Sequence, residues 1–187
     1  MASSILIVDD EQELTKLYNL WIEDTYSVQT ANSGHEALNK FSGEIDIVLL
    51  DRRLPDISGK EILQSIRDTE GNCSVAMITG VPPTEDVIDM GFDEYLVKPL
   101  SKDDLSAVIT DLERRQKYTE QVQQLYSLAS KRVALLEEGN KSKEVTNAIE
   151  EIETEINEIQ RDIETTVSTF NDVDIQVTFR DIPVTNN

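Results

Sequence analysis

Residues 1–114 predict a doubly wound, five-stranded parallel α/β sheet, and residues 115–171 an α-helical coiled-coil hairpin. Residues 172–187 form a tail with the alternation of a strand. Three observations carry this. Five short apolar runs alternate with helical patterns in the first part, which is the signature of a parallel sheet covered on both faces. No glycine or proline occurs from Ser101 to Glu138, so one helix can run far beyond a single domain's needs. Beyond Gly139, apolar residues step by four and three without a slip, the spacing of a coiled-coil seam.

The elements follow in order. Ile5–Val8 is a buried strand that runs into Asp9-Asp10-Glu11. Leu14, Leu17, Tyr18 and Trp21 recur at one face of a helix, where core packing outweighs a ligand stack. Tyr26–Ala31 is a short strand, Asn32-Ser33 a helix cap, and Ala37, Leu38 and Phe41 the inward face of the next helix. His35, the lone histidine, is expected to face solvent. Ile45, Ile47, Val48, Leu49 and Leu50 form the most apolar strand, and it ends at Asp51. A loop over 52–58 leads to a helix near 59–69, with Ile62, Leu63 and Ile66 inward, broken at Gly71-Asn72. Ser74–Thr79 is a fourth strand, ending at Thr79-Gly80. Val81-Pro82-Pro83 forbids helix until about residue 84, which leaves room for a short helix around 84–90. Residues 94–98 make the fifth strand, closed by Lys98-Pro99.

Ser101 caps the long helix, with Asp103 and Asp104 in its first turn. Leu105, Val108, Ile109 and Leu112 face the sheet, and Tyr118, Val122, Leu125, Ala129, Val133 and Leu136 are expected to continue the stripe. Gly139-Asn140 is the turn. Val145, Ile149, Ile152, Ile156, Ile159, Ile163, Thr166 and Phe170 then form a seam whose partner is either the preceding helix or a second subunit.

Charge narrows the function. The chain carries 17 Lys+Arg against 37 Asp+Glu, a net −20. The excess is spread along the sequence, and such a surface repels nucleic acid and anionic membranes. It suits a salt-rich cytoplasm, where screening relieves self-repulsion. Cys73 is the one cysteine, so there is no internal disulfide and no cysteine metal cage, as expected of a reducing compartment. The first apolar run is too short for a signal peptide or membrane span, and a soluble cytoplasmic protein is expected.

Right-handed crossovers place all strand ends on one edge, so Asp9, Asp10, Asp51, Thr79 and Lys98 converge. Three close carboxylates raise one another's pKa unless a cation neutralises them. Oxygen-only ligands match Mg²⁺, and the His or Cys wanted by transition metals are missing from the cluster. Lys98 is a fixed cation, Thr79 a hydroxyl donor, and Gly80 leaves its backbone N–H open to approach. Together these suit phosphoryl transfer onto a carboxylate.

Val8-Asp9-Asp10, Leu50-Asp51 with Pro55 and Gly59, Ile78-Thr79-Gly80 and Tyr95-Leu96-Val97-Lys98-Pro99 resemble the receiver domain of two-component response regulators. The resemblance spans residue 4 to about 114, with five site positions matching in order and spacing. It implies the flavodoxin-like strand order 2-1-3-4-5. It implies Asp51 as phosphoacceptor from a histidine kinase, with Thr79 and Lys98 binding the phosphoryl group. Mg²⁺ would be held by Asp9, Asp10, Asp51 and the backbone carbonyl of Arg53, Asp10 more directly and Asp9 partly through water. The Lys98-Pro99 bond is cis in the family, and Thr79 and Tyr95 match its switch pair. Acceptance is autocatalytic, so no metabolite is turned over and the protein is not an enzyme in the usual sense.

Two departures stand out. The segment from Thr79 to Gly91 is short and carries Pro82-Pro83, which puts standard dimer geometry in doubt. Arg53 and Val81 stand where smaller or polar residues often occur, and would shield the acyl phosphate from water. The second half lacks a compact three-helix DNA-binding pattern and a basic face. A receiver followed by an acidic helical hairpin resembles haloarchaeal regulators with a HalX domain. Output is expected through protein–protein contact with an unknown target, with homodimerisation left open. Rival readings are a DNA-binding transcriptional regulator with the hairpin as a dimeric clamp, and an unrelated Mg²⁺ phosphohydrolase.

Overall fold

The computed structural model describes residues 2–69, 72–83, 90–137 and 142–170. Five parallel strands lie in the order β2-β1-β3-β4-β5. They are β1 (Ser4–Val8), β2 (Ser27–Ala31), β3 (Ile47–Leu50), β4 (Ser74–Thr79) and β5 (Glu94–Val97). The helices are α1 (Gln12–Ile22), α2 (Gly34–Lys40), α3 (Gly59–Arg67), α4 (Lys102–Glu137) and α5 (Lys143–Ser168). The expected flavodoxin-like order is therefore the one observed. Backbone contacts divide the chain into two units, residues 1–112 and 113–187, and the division falls within α4.

The sheet alternates its side chains between two cores, as a period of two requires. Leu6, Val8, Val48, Leu50, Val75 and Met77 pack with Ala37 of α2 and Ile62, Leu63 and Ile66 of α3. Ile5, Ile7, Ile47, Leu49, Ala76 and Ile78 pack with Tyr18 and Ile22 of α1 and Leu105, Val108, Ile109 and Leu112 of α4. On α1, Tyr18 is buried and Leu14 and Trp21 pack against the core as expected, while Leu17 is 39% exposed and Thr15 and Ile22 are buried in addition. β5 is an edge strand and only half-buried.

Side-chain caps start α2 and α3. Ser33 accepts from the Glu36 N–H, and Ser58 with Glu61 forms a reciprocal capping box. Arg67 at the end of α3 donates to the carbonyls of Gly91 and Cys73 and pairs with Asp93 at 2.6 Å.

In the second unit, α4 and α5 run antiparallel. Tyr118 meets Phe170 edge-on at 5.7 Å, the Thr166 hydroxyl donates to Gln121 at 3.1 Å, Gln124 donates to Glu155 at 3.2 Å, and Arg132 pairs with Glu153 at 2.6 Å. The α5 seam thus faces α4 of the same chain. On α4 the residues turned inward are Tyr118, Gln121, Leu125, Leu128, Arg132 and Leu135. Ala129, Val133 and Leu136, expected inward, are exposed. Polar Gln121 and Arg132 occupy seam positions and hide the true phase.

The short helix around 84–90 falls mostly outside the described residues. The Gly139-Asn140 turn and the strand-like tail lie wholly outside them. Among the described residues no helix is long and apolar enough to cross a membrane.

Candidate functional site

The site is assembled at the carboxyl edge of the central strands. β1 and β3 are adjacent and parallel, with Val8 level with Leu50. The residue after each is an aspartate, so Asp9 and Asp51 lie side by side. The Asp51 N–H donates to the Val8 carbonyl at 2.8 Å, which fixes the stagger. Each aspartate also accepts a bond from the backbone two residues on: Glu11 N–H to Asp9 at 3.0 Å, and Arg53 N–H to Asp51 at 3.1 Å. Their side chains are nearly buried, whereas Asp10 is exposed. One ligand oxygen from each of Asp9, Asp10 and Asp51 lies within 4.8 Å of the other two.

Lys98 enters from the end of β5, where its N–H bonds to the Thr79 carbonyl at 2.9 Å. Its ammonium reaches Asp9 at 2.6 Å and Asp51 at 2.7 Å, with Glu11 at 3.8 Å. Burial alone would lower the Lys98 pKa, but its hydrogen bonds to Asp51 and Asp9 outweigh that and the net shift is upward. Burial raises the Asp9 pKa, and the bonds from Lys98 and Glu11 offset it only in part. The Lys98-Pro99 peptide is cis.

Thr79 ends β4 and is fully buried. Its Oγ1 accepts from the Val81 N–H at 3.4 Å. A side chain added at Gly80 would meet nothing within 4 Å, so the crevice beside Thr79 is open. Tyr95 is half-buried, stacks at a tilt on Phe92 with centroids 5.4 Å apart, and donates its hydroxyl to the Val81 carbonyl at 2.7 Å. The Thr79, Val81 and Tyr95 backbones and side chains are therefore chained by two hydrogen bonds.

Asp9, Asp10, Asp51 and Lys98 thus come together as named from sequence, Thr79 is joined to Lys98 through the backbone, and Arg53 contributes its N–H to Asp51 and an exposed side chain. Two residues were missed, Glu11 and Asp56. Glu11 stands 3.8 Å from Lys98, and its place two residues after Asp9 was the available signal. Gly59, named from sequence with Asp51 and Pro55, packs so close to the β3–α3 loop that a Cβ there would clash with the Asp51 carbonyl oxygen. Asp56 accepts the Gly34 and His35 N–H groups at the start of α2 and meets the His35 ring at 2.7 Å. Those bonds hold the Asp56 carboxyl below the usual carboxylate range. His35 is exposed as expected, though not without a partner.

Comparison with known proteins covers both parts of the chain. A family model described as a response regulator receiver domain matches residues 5–110, and one described as a HalX domain matches residues 114–179. A Haloferax volcanii protein named "Putative transcriptional regulator" is 37% identical over 132 residues, 70% of this chain and 23% of that protein. Response regulator ArlR of Staphylococcus haemolyticus is 38% identical over 119 residues, 61% of this chain and 54% of that protein. The chain therefore spans between a quarter and about half of these relatives' lengths. A CheY-like receiver from Methanospirillum hungatei superposes with a TM-score of 0.57 at 29% identity, covering 60% of this chain and 95% of that one. Response regulator TrrA of Thermotoga maritima, solved with Mg²⁺-BeF, superposes at 0.52 with 34% identity, covering 59% and 98%.

Proposed function

This chain belongs to the response regulators, carrying a receiver domain followed by a HalX domain, and from that premise we propose that it accepts a phosphoryl group on Asp51 from a histidine kinase. The observation that carries this is the half-open cluster in which Asp51 shares Lys98 with Asp9 while Asp10 faces solvent beside them. One Asp51 oxygen attacks phosphorus in line with the donor's leaving nitrogen, so a P–O bond forms as the P–N bond breaks. Lys98 then exchanges its bond to Asp51 for one to a phosphoryl oxygen. The Thr79 hydroxyl turns from Val81 to donate to another.

The donor set fits Mg²⁺: it is all oxygen, clustered, and open on one side to water. Asp9, Asp10, Asp51 and the Arg53 carbonyl would hold the ion. When bound it neutralises the carboxylates and the incoming phosphoryl charge. The Mg²⁺-BeF complex of the Thermotoga relative supports this assignment.

Thr79 and Tyr95 form the switch in this reading. Departure of the Thr79 hydroxyl loosens Val81, and with it the carbonyl that Tyr95 holds. We assign residues 1–114 to the receiver, 115–171 to the hairpin that relays the signal to a protein target, and 172–187 to the tail. The protein acts in a salt-rich cytoplasm and turns over no metabolite. The Haloferax relative's name favours a second reading, transcriptional control through DNA; strong, salt-sensitive binding to duplex would select it.

The test is labelling by acetyl phosphate or a cognate kinase with Mg²⁺ at multimolar KCl. Wild type gains a base-labile phosphoryl group, and Asp51→Asn gains none while keeping its fold by circular dichroism. Equal labelling of the variant refutes the assignment, and steady release of phosphate from exogenous phosphoesters would favour a hydrolase.

A further inference from the structure

Two apolar stripes run along α4 within the second unit. One is the seam against α5. The other is Val122, Tyr126, Ala129, Val133 and Leu136, again stepping by four and three. Four of its members are exposed, Tyr126 at 74%, Val133 at 50%, Leu136 at 52% and the small Ala129, while Val122 at one end is half-buried. A helix in a two-helix hairpin needs one stripe; a second with heptad spacing is the pattern of a further helix partner.

Beside this stripe lies a groove of about 360 Å³ between α4 and α5, lined by Ala129, Arg132, Val133, Glu153, Ile156 and Asn157. That is within the ~300–1,000 Å³ range of pockets that bury small ligands, and it has room for an aromatic ring. The knob and the hole are on the same face, one helical turn apart. A two-fold axis at Ala129, with the helices antiparallel, sets position 126 opposite 132, next to Val133, and position 122 opposite 136. The projecting ring then falls on the groove of the other copy, twice over, with the small Ala129 side chains at the crossing. This is the self-complementarity a two-fold interface requires.

Charge points to the same occupant. Residues 117–137 carry Lys117, Lys131 and Arg132 against Glu120 and Glu137, close to neutral in a chain of net −20. The segment 143–168 carries Lys143 and Arg161 against eight acids. Two copies meeting through α4 avoid the repulsion that a meeting through α5 would bring.

We propose that the outer face of α4 is a dimerisation surface that pairs two copies of this chain antiparallel, Tyr126 of each copy seated in the groove of the other. The stripe spans roughly 21 Å of helix, at the small end for a dimer interface, so the association is concentration-dependent. It stands apart from the phosphoryl chemistry, and Asp51→Asn leaves it unchanged in unphosphorylated protein.

Sedimentation equilibrium of the full chain in multimolar KCl, from micromolar to submillimolar, tests it. Wild type moves from monomer to dimer mass, and Tyr126→Glu with Val133→Glu stays at half the dimer mass. Should the acidic pair lose helix signal, Tyr126→Ala gives the same answer with at least a tenfold weaker dimer. In a Cys73→Ser background, Ala129→Cys cross-links to itself on oxidation. Leu136→Cys does so only when Val122→Cys is also present. Wild type monomeric throughout, a dimer indifferent to Tyr126→Ala, or ready cross-linking of Leu136→Cys alone overturns the proposal. So does a monomer that dimerises once residues 171–187 are removed, because the tail would then own the face.

Discussion

Asp9 is a carboxylate held where ionisation is costly. It is 2% exposed, and burial raises its pKa even with Lys98 at 2.6 Å. A folded state that binds the Asp9 proton more tightly than the unfolded chain loses stability as pH rises past the unfolded value near 3.8. Ionised Asp9 therefore destabilises the metal-free protein at neutral pH. Asp9→Asn should raise the thermal midpoint in chelator by a few degrees, with Asp51 still pairing Lys98. Added Mg²⁺ should stabilise wild type more than the variant, reversing or narrowing the gap. A variant that melts lower in chelator would show that the ion pair outweighs desolvation. Asp9 and Asp51 were legible in the sequence because each follows an apolar strand, and topology alone carries them to one edge. Asp56 was not, because its role depends on where the β3–α3 loop crosses the start of α2, which no local pattern encodes.

The packing of helix on helix gives a different lesson. Between Tyr118 and Leu136, apolar residues fall at two interleaved phases of α4, so periodicity alone selects no single face. The seam contains Gln121 and Arg132, whose partners are Thr166 and Glu153 on α5, and reading hydrophobicity alone passes over them. α5 carries one stripe among acids and was read correctly from Val145 to Phe170. The same contrast explains why the sheet core was legible residue by residue while on α1 Leu17 was misplaced and Thr15 and Ile22 were passed over. Leu128 is 5% exposed and Val133 half exposed, so the two phases predict opposite outcomes. Leu128→Ala should cost about 2–4 kcal/mol locally and speed amide exchange along α5. Val133→Ala in dilute protein should change exchange by no more than about 0.5 kcal/mol. The reverse order would restore the phase expected from sequence.

Over the whole molecule the dominant electrostatic fact is a net charge of −20 spread along the chain. Few described cations offset it, and Lys98 is committed to the acid cluster. On α5 the glutamates 150, 151, 155 and 158 crowd one face with Asn147 and Thr154, each within reach of the next turn's like charge. Such repulsion acts over the Debye length, about 30 Å at 0.01 M salt and about 3 Å at 1 M. Added KCl should therefore raise stability most steeply at low concentration, while the screening length still exceeds the spacing between helical turns. Specific burial would instead respond to the nature of the salt, sulfate above chloride. Thermal midpoints in KCl with chelator should climb and then flatten, with sulfate adding a second, shallower rise. Replacing Glu150, Glu151, Glu155 and Glu158 together by Gln should flatten the low-salt part for the hairpin, read from amide exchange on α5, and leave exchange in β1 and β3 unchanged. If the quadruple variant keeps the wild-type salt response on α5, self-repulsion on that face is not what salt relieves, and the acidic surface serves something other than tolerance of a salt-rich interior.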